Sequence, residues 1–318
     1  MEKKNILRFI GIIVLAAVIG FSFAACGGDD DGDGGSKSVG NNAVGGKTWY
    51  EYSDKTEFAA NGTYTGYSAK RDSNRDYVLD ANGKYQWVIS ETGTYTWNED
   101  AKTVTLRLGK ASAGDDGKLL DRAGLKSAYT AYMDEEYEAY KDQAGWTKKE
   151  DMIAGTGYSS IAQYIDAYVN EMFSDRPHAY SFSKDGKSLL IQEALPQPKG
   201  TDELAGQTYS GRNNTQYVFG SNSTYTIKST YSGTTATEQE TGSYSYDSTR
   251  KQVYFSRVKY YGQTALEYYE TVTVPSGGTQ YGDSNRFSSD DAYKASRTND
   301  QFYRSSRSYD PDAKTIGE

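Results

Sequence analysis

The chain carries one histidine and one cysteine, so few residues could perform nucleophilic, acid–base or metal chemistry. A Ser–His–Asp arrangement would have to be built around His178, with Asp175 or Asp185 as its carboxylate. No Gly-x-Ser-x-Gly turn is present to expose a nucleophilic serine, and a histidine-rich metal site is excluded by count. Two acidic stretches alternate oxygen ligands in the manner of a calcium loop, which also needs a glycine and a closing glutamate. Asp29, Asp31, Asp33 and Gly34 match the start of that pattern, but Gly40 stands where the glutamate belongs. Asp72-Ser-Asn74-Arg-Asp76 lacks both the following glycine and the glutamate. The first stretch is therefore expected to be a spacer and the second a solvated turn. Glu135 and Glu136 fall on a polar helical face, and no phosphate-cradling glycine loop occurs. These residues point to a protein that is not an enzyme and needs no cofactor or metal. A net charge of −8 offers no basic patch to release counterions from nucleic acid.

The first residues have the pattern of an export leader. Lys3, Lys4 and Arg8 precede an apolar run over 10–23, and Ala24 and Ala25 follow it. The run, about 14 residues, is short of the roughly 20 needed to span a bilayer. Phe23-Ala24-Ala25-Cys26 resembles the lipobox of bacterial lipoproteins, with Phe23 where leucine is usual. The resemblance implies a diacylglycerol on the Cys26 sulfur, cleavage just before it and acylation of the new amino terminus. Two or three acyl chains anchor a protein stably to a membrane. Gly27 after the cysteine leaves the outer membrane as the favoured destination by the family's sorting pattern. The Gly- and Asp-rich residues over 27–36 read as a flexible, self-repelling tether. Since Cys26 is the only cysteine, no disulfide can staple the fold.

The positioning elements are read from composition and from an internal repeat. Tyrosine numbers 30 and proline 5, and Tyr and Thr favour half-buried pleated surfaces. Gly46-Lys-Thr-Trp49 corresponds to Gly206-Gln-Thr-Tyr209, and Asn61-Gly62-Thr63-Tyr64-Thr65 to Asn222-Ser223-Thr224-Tyr225-Thr226. Glu91-Thr-Gly-Thr-Tyr95-Thr-Trp97 corresponds to Glu240-Thr-Gly-Ser-Tyr244-Ser-Tyr246, and Lys102-Thr-Val-Thr-Leu106 to Lys251-Gln-Val-Tyr-Phe255. Within these pieces apolar and polar residues alternate, as in Val104, Leu106 and Leu108 against Thr105 and Arg107, which is the period of a strand with one wet face. Asn61-Gly62 and Asn82-Gly83 supply the positive φ of tight hairpins, and 187–192 reads as the strand closing the first unit. Each unit is expected to be a meander of six to eight strands, closed to remove its edges.

These motifs resemble those of bacterial lipocalin-like lipoproteins: an opening Gly and Trp, an F..NGTY strand, a TGTY.(W/Y) strand and a K.V.L strand. Gly46 and Trp49 are two residues apart rather than one, and Tyr209 replaces the Trp in the second unit. The resemblance implies an eight-stranded barrel able to hold a small apolar ligand. The fold class expected is thus mainly β, with two tandem antiparallel meander barrels or half-barrels of lipocalin-like type.

Between about 118 and 174 the period changes to that of helices. Leu125, Tyr129, Met133 and Tyr140 lie near one stripe, Ala144-Gly145 can end a helix, and Thr147–Glu150 and Ser160–Gln163 fit capping boxes. This is read as a two- or three-helix insertion absent from the second unit, packed on the outside of the first barrel or, alternatively, forming a lid or docking surface beside its mouth. The expected division is a leader over 1–25, a tether over 26–45, a first unit over 46–195 and a second over 196–318. The region after Pro275 reads as a long loop over 277–300 with a final strand near 302–309.

The expected site residues are Cys26 for lipid and, as ligand-cavity or core aromatics, Trp49, Tyr95, Trp97, Tyr209, Tyr244 and Tyr246. The expected partners are the membrane, through the lipid on Cys26, and a small apolar ligand. The competing expectation is a surface protein contacting protein or glycan through tyrosine-rich faces.

Overall fold

The computed structural model describes residues 42–114, 117–154, 156–193, 195–211, 214–229, 237–248, 251–275, 286–302 and 305–317. The expected leader, Cys26 and the acidic tether lie outside the described residues.

Two rings of strands follow one another along the chain. The first comprises β1 (Thr48–Glu51), β2 (Asp54–Phe58), β3 (Thr63–Ala69), β4 (Trp87–Asn98), β5 (Thr103–Ser112), β7 (Arg176–Phe182) and β8 (Ser188–Glu193), with β6 (Leu119–Leu120) paired to the end of β5. The second is a closed barrel of β9 (Thr208–Ser210), β10 (Thr215–Phe219), β11 (Thr224–Ser229), β12 (Thr237–Asp247), β13 (Gln252–Tyr260), β14 (Ser305–Asp310) and β15 (Thr315–Ile316). Ring neighbours along the chain pair antiparallel, but the closing pairs are parallel: Thr48 and Trp49 against Ser188 and Leu189, and Thr315 against Ser210. The expectation of wholly antiparallel barrels is corrected accordingly. The reason is parity, because an up-and-down ring with an odd number of strands brings its first and last strands together running the same way.

Burial follows the alternation read from sequence. Val104, Leu106 and Leu108 are buried while Arg107 is exposed. The hairpin turns use left-handed residues at matching places, with φ of 83° at Gly62 and 60° at Ser223, and 50° at Lys102 and 53° at Lys251. Glycine takes that conformation without a steric cost, whereas Ser223 and both lysines do not.

Helices interrupt both rings at the same point. Between β5 and β7 lie α1 (Arg122–Ala144), a 3-10 turn (Lys149–Ile153) and α2 (Ile161–Met172). Asp121 caps α1, Gly145 ends it at φ 70°, and the Ser160 hydroxyl accepts from the Gln163 amide at the start of α2. At 147–151 the carboxylate that accepts the Thr147 and Lys148 amides belongs to Asp151 rather than Glu150. Leu125, Met133, Ile165 and Val169 pack with Leu108 and Ala111 of β5.

Between β13 and β14 lie α3 (Ala265–Thr271) and α4 (Asp290–Phe302). This overturns the expectation of a helix-free second unit and, over 290–300, of a loop; the part of that expectation over 277–285 lies outside the described residues, and β14 starts at Ser305 rather than near 302. The buried face of α4 is Ala292, Tyr293, Ala295, Ser296, Thr298, Asn299 and Phe302. Most of these residues are small or polar, so the segment reads as a polar loop although its buried residues keep helical spacing.

The helices α3 and α4 lie against the first barrel. Phe287, Ala292 and Tyr293 pack with Ala69 and Tyr85, joined by Tyr50 and Trp87. Tyr269 and Ala295 pack with Leu190. No helix among the described residues is long and apolar enough to cross a membrane.

Candidate functional site

The six aromatics expected as ligand-cavity or core residues all pack in or against the two barrel cores. In the second barrel Tyr209, Tyr244 and Tyr246 are buried with Tyr217, Phe219, Tyr225 and Phe255. Their rings touch one another: Phe219 to Tyr244 at 4.7 Å, Tyr225 to Phe255 at 4.7 Å, and Tyr209 to Tyr309 at 5.2 Å between centroids. In the first barrel Tyr95 is buried with Phe58 edge-on at 5.0 Å, and Trp49 and Trp97 are partly buried against the same core. Such edge-to-face pairs suit the ring quadrupoles and leave little space between them.

One end of each bore is stopped by a short segment just before the first strand. Val44 and Leu204 are fully buried there. Asn42 Oδ1 accepts from the Val44 and Gly45 amides, and Nδ2 donates to the Tyr95 hydroxyl at 2.6 Å. In the second unit Asp202 Oδ1 accepts from the Leu204 amide, and its Oδ2 accepts from the Tyr244 hydroxyl at 2.7 Å. Asn42-Ala-Val44 and Asp202-Glu-Leu204 are thus the same device. The residue match before Gly46 and Gly206 is too slight for sequence comparison to find, and only the shared tyrosine partner shows it.

Further along each bore a tyrosine, a glutamate and an arginine meet. The Tyr225 hydroxyl donates to Glu240 Oε1 at 2.5 Å, and Arg257 pairs with the other oxygen of that buried carboxylate. Arg176 Nη2 donates to the Tyr64 hydroxyl at 3.1 Å and to Glu91 Oε1 at 3.3 Å. Both tyrosines lie on the glycine of the Glu-Thr-Gly motif. A Cβ on Gly93 would come within 2.6 Å of the Tyr64 ring, and one on Gly242 within 2.9 Å of the Tyr225 ring. Burial, together with the neighbouring carboxylates, pushes the Tyr64, Tyr225, Tyr244 and Tyr246 hydroxyls well above the usual phenol range. They stay neutral donors at physiological pH, and the clusters have the chemistry of structural hydrogen bonds.

The chain matches no family model, no curated protein and no solved structure. Its reading therefore rests on its own geometry. His178 is buried inside the first ring beside Trp49, with ring centroids 5.8 Å apart. Asp175 forks onto Arg107 with two bonds of 2.8 Å, and Asp185 accepts from the Ser183 hydroxyl and the Lys187 amide. Asp72 folds its own turn by accepting from the Asn74 and Asp76 amides, both at 2.9 Å. Among the described residues no group of three or more His, Cys, Asp or Glu converges as a metal site.

A cleft that the sequence did not signal lies where the units meet. Ala179, Leu190 and Gln192 of the first barrel face Val258 of β13, the first turn of α3 and Phe302 of α4 across a volume of about 270 Å3. Most of its surface is apolar. It forms where α4 lies on β1 and β8 while α3 packs between α4 and β13 of its own barrel.

Proposed function

We propose that this chain is a non-catalytic lipoprotein of the cell envelope, anchored through lipid on Cys26, with the outer membrane favoured. In this reading two lipocalin-like meanders act as rigid supports, and the protein works through its outer surface by contacting a protein or glycan. The observation that carries it is the filling of both bores. Contacting rings occupy them, and Val44 and Leu204 stop one end of each. Tyrosine that remains outside supports the same reading, with Tyr52 59% and Tyr261 56% exposed. Such amphipathic rings are common at contact surfaces.

Two experiments test this proposal. Metabolic palmitate labelling should be lost in Cys26→Ser, and labelling that persists would remove the anchor. Glycan arrays and pull-downs with the purified mature chain should return a partner whose binding falls in Tyr261→Ala. A blank result in both would remove the surface reading. The runner-up, a small apolar ligand, keeps one observation in its favour, the cleft between the units.

A further inference from the structure

The walls of that cleft are unusual for this chain. Mean hydropathy is −0.78, yet Val258 and Leu266 stand 48% and 44% exposed in the lining of one opening. The only other aliphatic residues so exposed among the described ones are Leu79 and Ile89. Val258 reaches its place through a bulge. Arg257 pairs with Gly242 and Lys259 with Thr241, which leaves Val258 as the extra residue of β13. The first barrel has the same bulge between Leu108 and Lys110, and there the extra residue is Gly109. A bulge re-aims one side chain out of the ladder, and only the unit facing the cleft spends that position on an apolar branch.

Most polar groups on the walls are engaged, and the Arg257 Nε that has no partner is itself buried. Gln192 donates to the Arg257 carbonyl, and Arg257 is held by Glu240 and the Gln301 carbonyl. Asn299 uses both ends of its amide on β1 and β8, and the Thr264 hydroxyl donates to Glu267 at 2.8 Å. The one charged side chain on the wall, Arg257, is neutralised by Glu240. A charged ligand would lose water here and find the one charged side chain already paired with Glu240, whereas an uncharged apolar one would cover Val258 and Leu266. Size sets the rest. An apolar cavity of about 150 Å3 accepts benzene and ligand pockets begin near 300 Å3.

We propose that the cleft between β7–β8, β13 and α3 binds an uncharged, largely apolar small molecule of one or two rings. This site lies outside both bores, and its test does not depend on the anchor or on any surface partner.

The full chain carrying Cys26→Ser is titrated with 1-aminonaphthalene at neutral pH, and its emission is followed. One saturable, blue-shifted site is expected. Val258→Asp and Leu266→Asp should each weaken it at least about tenfold, since each sets a charge in an apolar wall. Both positions are half exposed, so the melting temperature should not change. Ile89→Asp, an equally exposed aliphatic away from the cleft, should bind like the parent. Emission that never saturates would overturn the proposal. So would a saturable site untouched by both cleft variants, or equal affinity for the anionic 1-naphthalenesulfonate.

Discussion

The two barrels solve one problem with different residues. Each has seven strands, a parallel closure, a stopped end and a tyrosine on a glycine bonded to a glutamate. The arginine that meets the glutamate differs in origin. In the first barrel it is Arg176, opposite Leu106 on β7. In the second it is Arg257 on β13, and the place opposite Phe255, the equivalent of Leu106, holds Ser305. Leu108 occupies in the first barrel the position of Arg257 and packs against α1 and α2 instead. A buried carboxylate requires a cation, and the ring geometry lets either of two strands supply it. The outer faces diverge more. The first barrel presents Tyr50 and Leu190 to α4, while the position of Tyr50 in the second barrel is the exposed Ser210. The units therefore join in one direction only: the second lays its helices on the first, and its own seam is polar.

The largest effect expected from breaking that asymmetry is at Asn299. It is 2% exposed, donates to the carbonyls of Tyr50 at 2.7 Å and Leu189 at 3.1 Å, and accepts from the Ile191 amide at 3.0 Å. These groups flank the point where the short parallel pair of β1 and β8 ends, so one side chain on α4 completes the seam of the other unit. Asn299→Leu keeps the bulk and strands all three backbone groups. At about 1–3 kcal/mol for each unpaired buried group, partly relieved by water, a loss of about 4 kcal/mol is expected in urea unfolding. The transition should also split, with the barrels no longer melting together. A single transition with unchanged midpoint would show that the apolar contacts alone join the units.

A smaller effect should follow from moving the arginine. Arg257→Leu leaves Glu240 buried beside Tyr225 with no cation, at a cost of about 3 kcal/mol. Adding Ser305→Arg rebuilds the arrangement of the first barrel and should recover at least half of that loss. A double variant no more stable than the single one would mean that the two clusters are not interchangeable.

The parts of this molecule that the sequence exposes and those it hides differ physically. The strands of both units are legible because alternating Tyr, Thr and Val repeat twice, and the repeat places 91–106 on 240–255 in one register. The helices α1 and α2 show because Leu125, Tyr129 and Met133, and then Ile161, Ile165, Tyr168 and Met172, sit at helical spacing. The helix α4 does not, because the small and polar Ala295, Ser296 and Asn299 separate its buried Tyr293 and Phe302 and leave the segment polar overall. The parallel closure is invisible to any local pattern, since it follows from the strand count. The cleft is hidden for a related reason: Val258 reads as one more strand residue until the pairing shows it to be a bulge.

The gentlest way to probe the join is pH. Asp300 Oδ1 accepts from the Tyr52 amide at 2.6 Å, in the β1–β2 turn where Tyr52 holds a left-handed φ of 44°. Burial is the main cause that raises the Asp300 carboxyl to about 7, against the Tyr52 amide and Arg297, which lower it, and with the carboxylate of Asp54 raising it further. Asp54 in turn has Glu91, Ser68 and Arg71 around it. Tyr52 brings Glu51 and Arg257 into the same neighbourhood. Between the ordinary carboxylate range and about 7 the folded state holds a proton at Asp300 that the unfolded chain has released. Stability must therefore fall as pH rises across that window and level off above it. The lowered carboxylates, such as Asp175 beside Arg107, act with opposite sign and only at more acid pH. Asp300→Asn keeps the acceptor for Tyr52 and removes the titration, so its melting temperature should run flatter from mildly acid to mildly alkaline pH and cross that of the parent. Parallel curves for parent and variant would mean that Asp300 stays ionised across the join, and the acid-favoured contact between α4 and β1 would have to be given up.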